Sequence, residues 1–107
     1  MLLDVNGELD LLTMPAFEAA LDALLSASPR EALFDVCGAQ FISVEGFAAI
    51  GRVSLTVERV TVNARDDFAE KIFRLLGYDR IGFDTDRATC GWALAAAPAG
   101  SRRVRLG

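Results

Sequence analysis

Asp10, Asp35, Ser43, Glu45, Cys37 and Cys90 are the side chains of this sequence whose types and spacing could do chemistry. Asp10 and Asp35 fall where extended segments end, which is where open α/β sheets place their sites. Two such carboxylates could serve acid–base catalysis or hold magnesium. The chain has no His, and there is no nucleophile with an evident base, no glycine-rich phosphate loop and no third ligand nearby. The acids are therefore read as loop-organising or interface residues, and the protein as a non-enzyme without a cofactor or metal. Cys37 and Cys90 lie far apart without a Cys-x-x-Cys spacing, so both are expected to be reduced packing residues.

Strands and helices must position these groups. Leu2-Leu3-Asp4-Val5 opens an extended segment running into Gly7-Glu8-Leu9-Asp10. A helix then starts with Thr13 as cap and Pro15 in its first turn. Phe17, Ala20, Leu21, Leu24 and Leu25 make one apolar helical stripe, with Glu18 and Asp22 opposite, and Ser28-Pro29 stops it. Ala32-Leu33-Phe34-Asp35-Val36 reads as a short strand covered on both faces, followed by a loop and a second helix opened by Ser43. That helix is expected to bury Phe47, Ile50, Val53 and Leu55. A strand over Glu58–Asn63 follows. A third helix from Asp66 to Leu76 groups Phe68, Ile72, Phe73 and Leu76, with Gly77 as its stop. Ile81-Gly82-Phe83 forms a last short strand, and a helix from Asp84 or Thr85 runs through Trp92 to Ala97.

Strands alternating with helices of this length call for parallel pairing and right-handed crossovers, hence a layered α/β fold. The 107 residues suffice for one domain with its own core. The domain is placed at 1–97, with 98–107 as a flexible basic tail carrying Arg102, Arg103 and Arg105. A net charge of −4 argues against general nucleic-acid binding. No apolar run approaches the roughly 20 residues of a membrane span, and nothing resembles a secretion leader. The expectation is a cytoplasmic protein.

Three blocks carry a resemblance to STAS domains, the family of bacterial anti-sigma factor antagonists and anion-transporter regulatory tails. Gly7-Glu8-Leu9-Asp10 with its Thr-x-Pro helix start is similar to the family's entry. The run from Asp35 to Ile50 is similar to its signature, an Asp, a small polar loop, then Phe-Ile-Asp-Ser-Ser/Thr-Gly-Leu. Asn63 with Phe73-Arg74-Leu75-Leu76-Gly77-Tyr78 looks like its late strand, third helix and close. The resemblance extends from about Val5 to Ala97 and implies a STAS-like layered fold, a mostly parallel sheet with helices packed against it. Relative to the family, the first edge strand is missing, which would leave an open sheet edge.

The resemblance also implies a switch that this chain has altered. The family's kinase phosphorylates the first hydroxyl after the second Asp. Here Ser43 takes the place of that Asp and Val44 that of the phosphorylated residue, and a valine has no oxygen to accept phosphate. Ser43 is read as a helix cap, worth about 1 kcal/mol, with a displaced phosphosite as the alternative. Glu45 matches the helix dipole and puts a fixed negative charge beside the place where phosphate would add about −1.5 to −2. The implied function is that of an anti-sigma factor antagonist, binding an anti-sigma factor that resembles a GHKL-type serine kinase and so freeing a sigma factor for transcription. The expected contact surface comprises Asp10, Asp35, the loop Gly38 to Glu45 including Ser43 and Val44, and Ala48, Gly51 and Arg52 on the following helix. The alternatives are an accessory subunit of a bacterial lipid ABC transporter, and a scaffold domain that dimerises through an exposed sheet edge.

Overall fold

The computed structural model describes residues 1–84 and 102–107. Along the chain the elements are β1 (Leu2–Leu9), α1 (Met14–Ser26), β2 (Glu31–Ile42), α2 (Val44–Val53), β3 (Arg59–Asn63), α3 (Phe68–Leu75), β4 (Ile81–Asp84) and β5 (Arg102–Leu106). The strands form one sheet in the order β4-β3-β2-β1-β5, and every neighbouring pair is parallel. Steps from β1 to β4 all go the same way across the sheet, so right-handed crossovers stack α1, α2 and α3 on one face. α2 lies between the other two and touches both. The expected helix around Trp92, and Cys90 with it, lies outside the described residues.

The core sits between that face and the helices. Phe17, Leu21 and Leu24 of α1 and Phe47, Ile50 and Phe73 of α2 and α3 share one buried cluster with Leu3, Val5, Phe34, Val60 and Val62 of the sheet. Each such side chain contributes about 1.5–3 kcal/mol through the water it leaves. Phe47 also meets Phe73 edge-on at 5.3 Å and 87°, the arrangement that aromatic quadrupoles favour. The stripe on α1 is the one its apolar spacing predicts. α3 ends as Gly77 predicts: with φ at +86°, its N–H donates to Arg74 O at 3.1 Å, and Tyr78 N–H donates to Phe73 O at 3.0 Å. Those two bonds form a Schellman stop.

Four expectations are corrected. First, β2 does not end at Asp35 or Val36 but continues to Ile42. It loses β3 after Asp35, whose partner Asn63 is the last residue of that strand, and then follows β1 alone. Two register shifts against β1, at Asp4/Asn6 and Gly7/Glu8, absorb the residues that look like a loop; such bulges sharpen a strand's twist. Second, the tail expected to be flexible carries β5 over Arg102–Leu106, which pairs with β1 from Leu3 to Gly7. Leu106 is buried and Val104 packs against the core. The edge beside β1, expected to be open, is thus taken by the chain itself. Third, Leu55, Phe68 and Leu76 are exposed rather than core. α2 stops at Val53, so Val57 rather than Leu55 turns inward, and α3 spans only Phe68–Leu75, which puts its first and last apolar residues off the buried side. Fourth, Cys37 is disulfide-bonded, not reduced; two residues after Asp35 in β2, it lies with that residue on the sheet face away from the helices.

Candidate functional site

Two strand-to-helix turns at the carboxyl end of the sheet hold most of the residues singled out above. In the first, from β1 to α1, Asp10 organises the backbone. Its Oδ1 accepts from Leu12 N–H at 3.0 Å and Thr13 N–H at 3.1 Å, and its carbonyl accepts from Met14 N–H at 2.9 Å. Thr13, expected as the side-chain cap of α1, makes no such bond within the helix. Its hydroxyl instead donates back to Glu8 O at 2.7 Å and accepts from Asp10 N–H at 2.9 Å. The acid and the hydroxyl have exchanged roles, because the strand ends early enough for Asp10 to reach the loose N–H groups first.

In the second turn, from β2 to α2, Ser43 stands in extended geometry as N-cap and its Oγ accepts from Gly46 N–H at 3.2 Å. Its own N–H donates to Leu9 O at 2.9 Å, which fastens this turn to the end of β1. Ser43 therefore caps, as its type and place predict. Val44 begins the helix at 61% exposure. Glu45, in the first helical turn and exposed, meets the positive end of α2.

Large apolar side chains stand among the acids that this end presents to solvent. Leu11 and Leu12, following β1, are 85% and 88% exposed; Phe41, near the end of β2, is 53% exposed and Phe68, opening α3, is 58% exposed. With Val44 they surround the ends of three neighbouring strands. Exposed apolar groups gathered in one place mark contact surfaces, whereas scattered ones are ordinary. Sequence reasoning missed Leu11 and Leu12, included Phe41 only as part of the loop Gly38 to Glu45, and assigned Phe68 to the core. The signal for Leu11 and Leu12 was available, since they precede the helix and lie off the stripe of Phe17 and Leu21.

Three expected contact residues are not on this surface. Asp35 is only 4% exposed, on the sheet face opposite the helices, and its Oδ1 accepts from Cys37 N–H at 3.0 Å. It stands in one cross-strand row, in register, with Arg103, Asp4, Asn63 and Asp84. Arg103 Nε donates to Asp4 Oδ2 at 2.9 Å in a partly buried ion pair, supplying positive charge beside two adjacent carboxylates that would otherwise repel. Gly38 is half-buried inside β2, where a Cβ would stand 2.1 Å from Asn6 Oδ1. Gly51 is buried, its missing side chain replaced by the ring of Tyr78, 2.3 Å from where a Cβ would lie. Of the helix residues named with it, Arg52 is exposed and Ala48 half-buried, so the accessible face of α2 runs through Val44, Glu45, Ala48 and Arg52.

Among the described residues no group of three or more His, Cys, Asp or Glu could hold a metal ion, and no helix is long and apolar enough to cross a membrane. A cleft of about 350 Å³ opens between the far half of β2 and the start of α3, lined by Val36, Ala39, Phe41, Phe47, Phe68 and Ala69, with Arg65 and Asp66 at its side. No protein-family model, curated protein or solved structure matches this chain.

Proposed function

We propose that this chain is a non-enzymatic docking module of the anti-sigma factor antagonist type. In this reading it binds an anti-sigma factor built like a GHKL serine kinase, releases the sigma factor held there, and does so without a serine phosphorylation switch. The observation that carries the proposal is the exposed apolar group of Leu11, Leu12, Phe41, Val44 and Phe68 around the α2 start. It coincides with the segment whose resemblance to STAS domains implies partner contact. Hot spots of protein interfaces are apolar or aromatic anchors that become fully dry on binding, and Leu12 and Val44 are free to become so.

The chemistry of the turn supports the loss of the switch. Val44 carries no hydroxyl, and the Ser43 hydroxyl is engaged by Gly46 N–H. A phosphate would add roughly −1.5 to −2 charge there; Glu45 supplies a single, permanent one. The partner's affinity is therefore indifferent to ATP.

The test is affinity capture of the tagged chain and of its Leu12→Glu variant, each with and without ATP. The reading expects an anti-sigma factor of kinase type in equal yield under both conditions and at least tenfold less with Leu12→Glu. Recovery of a transporter ATPase instead would move the protein to the lipid-transport alternative, and yield unaffected by Leu12→Glu would remove the surface from consideration.

A further inference from the structure

The two halves of β2 are paired differently. From Glu31 to Asp35 the strand is flanked by β1 and β3. From Gly38 to Ile42 it pairs with β1 on one side and, among the described residues, with no strand on the other. The lane that β3 would fill if it were longer is the apolar cleft beside Phe41 and Phe68. An unpaired strand edge and an apolar cleft thus occupy the same place.

We propose that this lane receives an extended segment of the partner, which adds to β2 as a strand. The proposal rests on the docking reading above and names what the partner brings. An occupant covering the cleft without backbone hydrogen bonds, such as a helix, would bury the N–H and C=O groups of 38–42 unpaired, which proteins avoid. A strand satisfies them and turns every second side chain into the cleft, toward Val36, Phe47 and Ala69. The run from Val36 to Ile42, at about 3.3 Å per residue, spans roughly 20 Å and holds a segment of about six residues.

Charge completes the description of the occupant. Arg65 lines the cleft, is exposed, and makes no ion pair among the described residues. Its neighbour Asp66 turns Oδ1 back to accept from Phe68 N–H at 3.0 Å. Arg65 also lines the pocket on the opposite sheet face, so the segment that fits turns apolar side chains into the cleft and carboxylates to the other face, one of them toward Arg65.

The probe is acetyl-Glu-Val-Glu-Val-Glu-Val-amide, titrated into the full chain and followed by amide shifts in two-dimensional NMR. Two control peptides accompany it, one N-methylated at alternate residues and one with Lys for Glu. Expected are shifts confined to 36–42 and 65–69, at least tenfold weaker binding after N-methylation, and several-fold weaker binding with Lys. Arg65→Glu reverses the preference between Glu and Lys. Absence of shifts at millimolar peptide, shifts elsewhere, or equal binding of the N-methylated peptide overturns strand addition. The docking reading fails separately: its capture experiment depends on Leu12, which lies outside the lane. Capture lost with Leu12→Glu but intact with Arg65→Glu and with excess peptide would sink the lane and leave the docking reading standing.

Discussion

The turn from β1 into α1 and the turn from β2 into α2 solve one problem with different residues. Each must satisfy the loose N–H groups that begin a helix. The first uses a carboxylate placed before the helix, Asp10, which takes two N–H groups. The second uses the hydroxyl Ser43, which takes one. In both, the polar group is turned inward onto the backbone and an apolar neighbour is left in water, Leu11 and Leu12 in one case and Val44 in the other. The polar residues that attract attention in the sequence thus hold the turns together, and the residues available to a partner are the plain ones beside them.

That contrast can be broken by single substitutions. Asp10→Ala removes two hydrogen bonds to one oxygen at once and should lower unfolding free energy by about 2 kcal/mol, read from urea denaturation; Asp10→Asn, which keeps an acceptor oxygen, should recover most of the loss. Ser43→Ala removes one acceptor and should cost about 1 kcal/mol, with Ser43→Asp near neutral. If the two alanine variants cost the same, the first turn is not held by the pair of hydrogen bonds to Asp10 Oδ1. The smallest effect on folding is Val44→Ser, expected within about 0.5 kcal/mol of the parent because the site is exposed. That variant sharpens the functional half of the comparison. Mass spectrometry after incubation with a matching serine kinase should find phosphate on the new hydroxyl and none at Ser43.

Much of the architecture was legible in the sequence because local signals agreed with the final packing. The apolar stripe of α1, the Ser43 cap and the stop at Gly77 depend on neighbours within a turn or two, and they stand where the sequence puts them. What was not legible depends on residues far away in the chain. Gly38, Ala39 and Gln40 look like a loop, and become strand because β1 pairs with Gly38 and Ala39 and a bulge absorbs Gln40. The three arginines of β5 hide its signal, though Val104 and Leu106 do alternate with them as a strand requires. Arg103 needs Asp4 to make sense of its charge. Phe68 has helical spacing to Phe73's face, but the shortness of α3 leaves it outside. At the candidate surface the sequence singled out the turn from β2 into α2, and the folded shape adds which side chains around it are exposed. Acids and glycines drew the attention, while exposure, a property of the folded shape alone, singled out Leu11 and Leu12.

The pairing of β5 with β1 has a consequence for how the molecule is made. Arg103 and Asp4 are 99 positions apart, so the ribosome delivers the first strand long before the one that shields it. During that interval the nascent sheet carries a naked rim, the state in which chains cross-pair with their neighbours. Closure of that rim waits for residues 102–106 and belongs to the late events of folding. Translation that stops short of Arg102 would leave Asp4 beside Asp35 without its guanidinium, and such fragments are natural clients for chaperones or proteases.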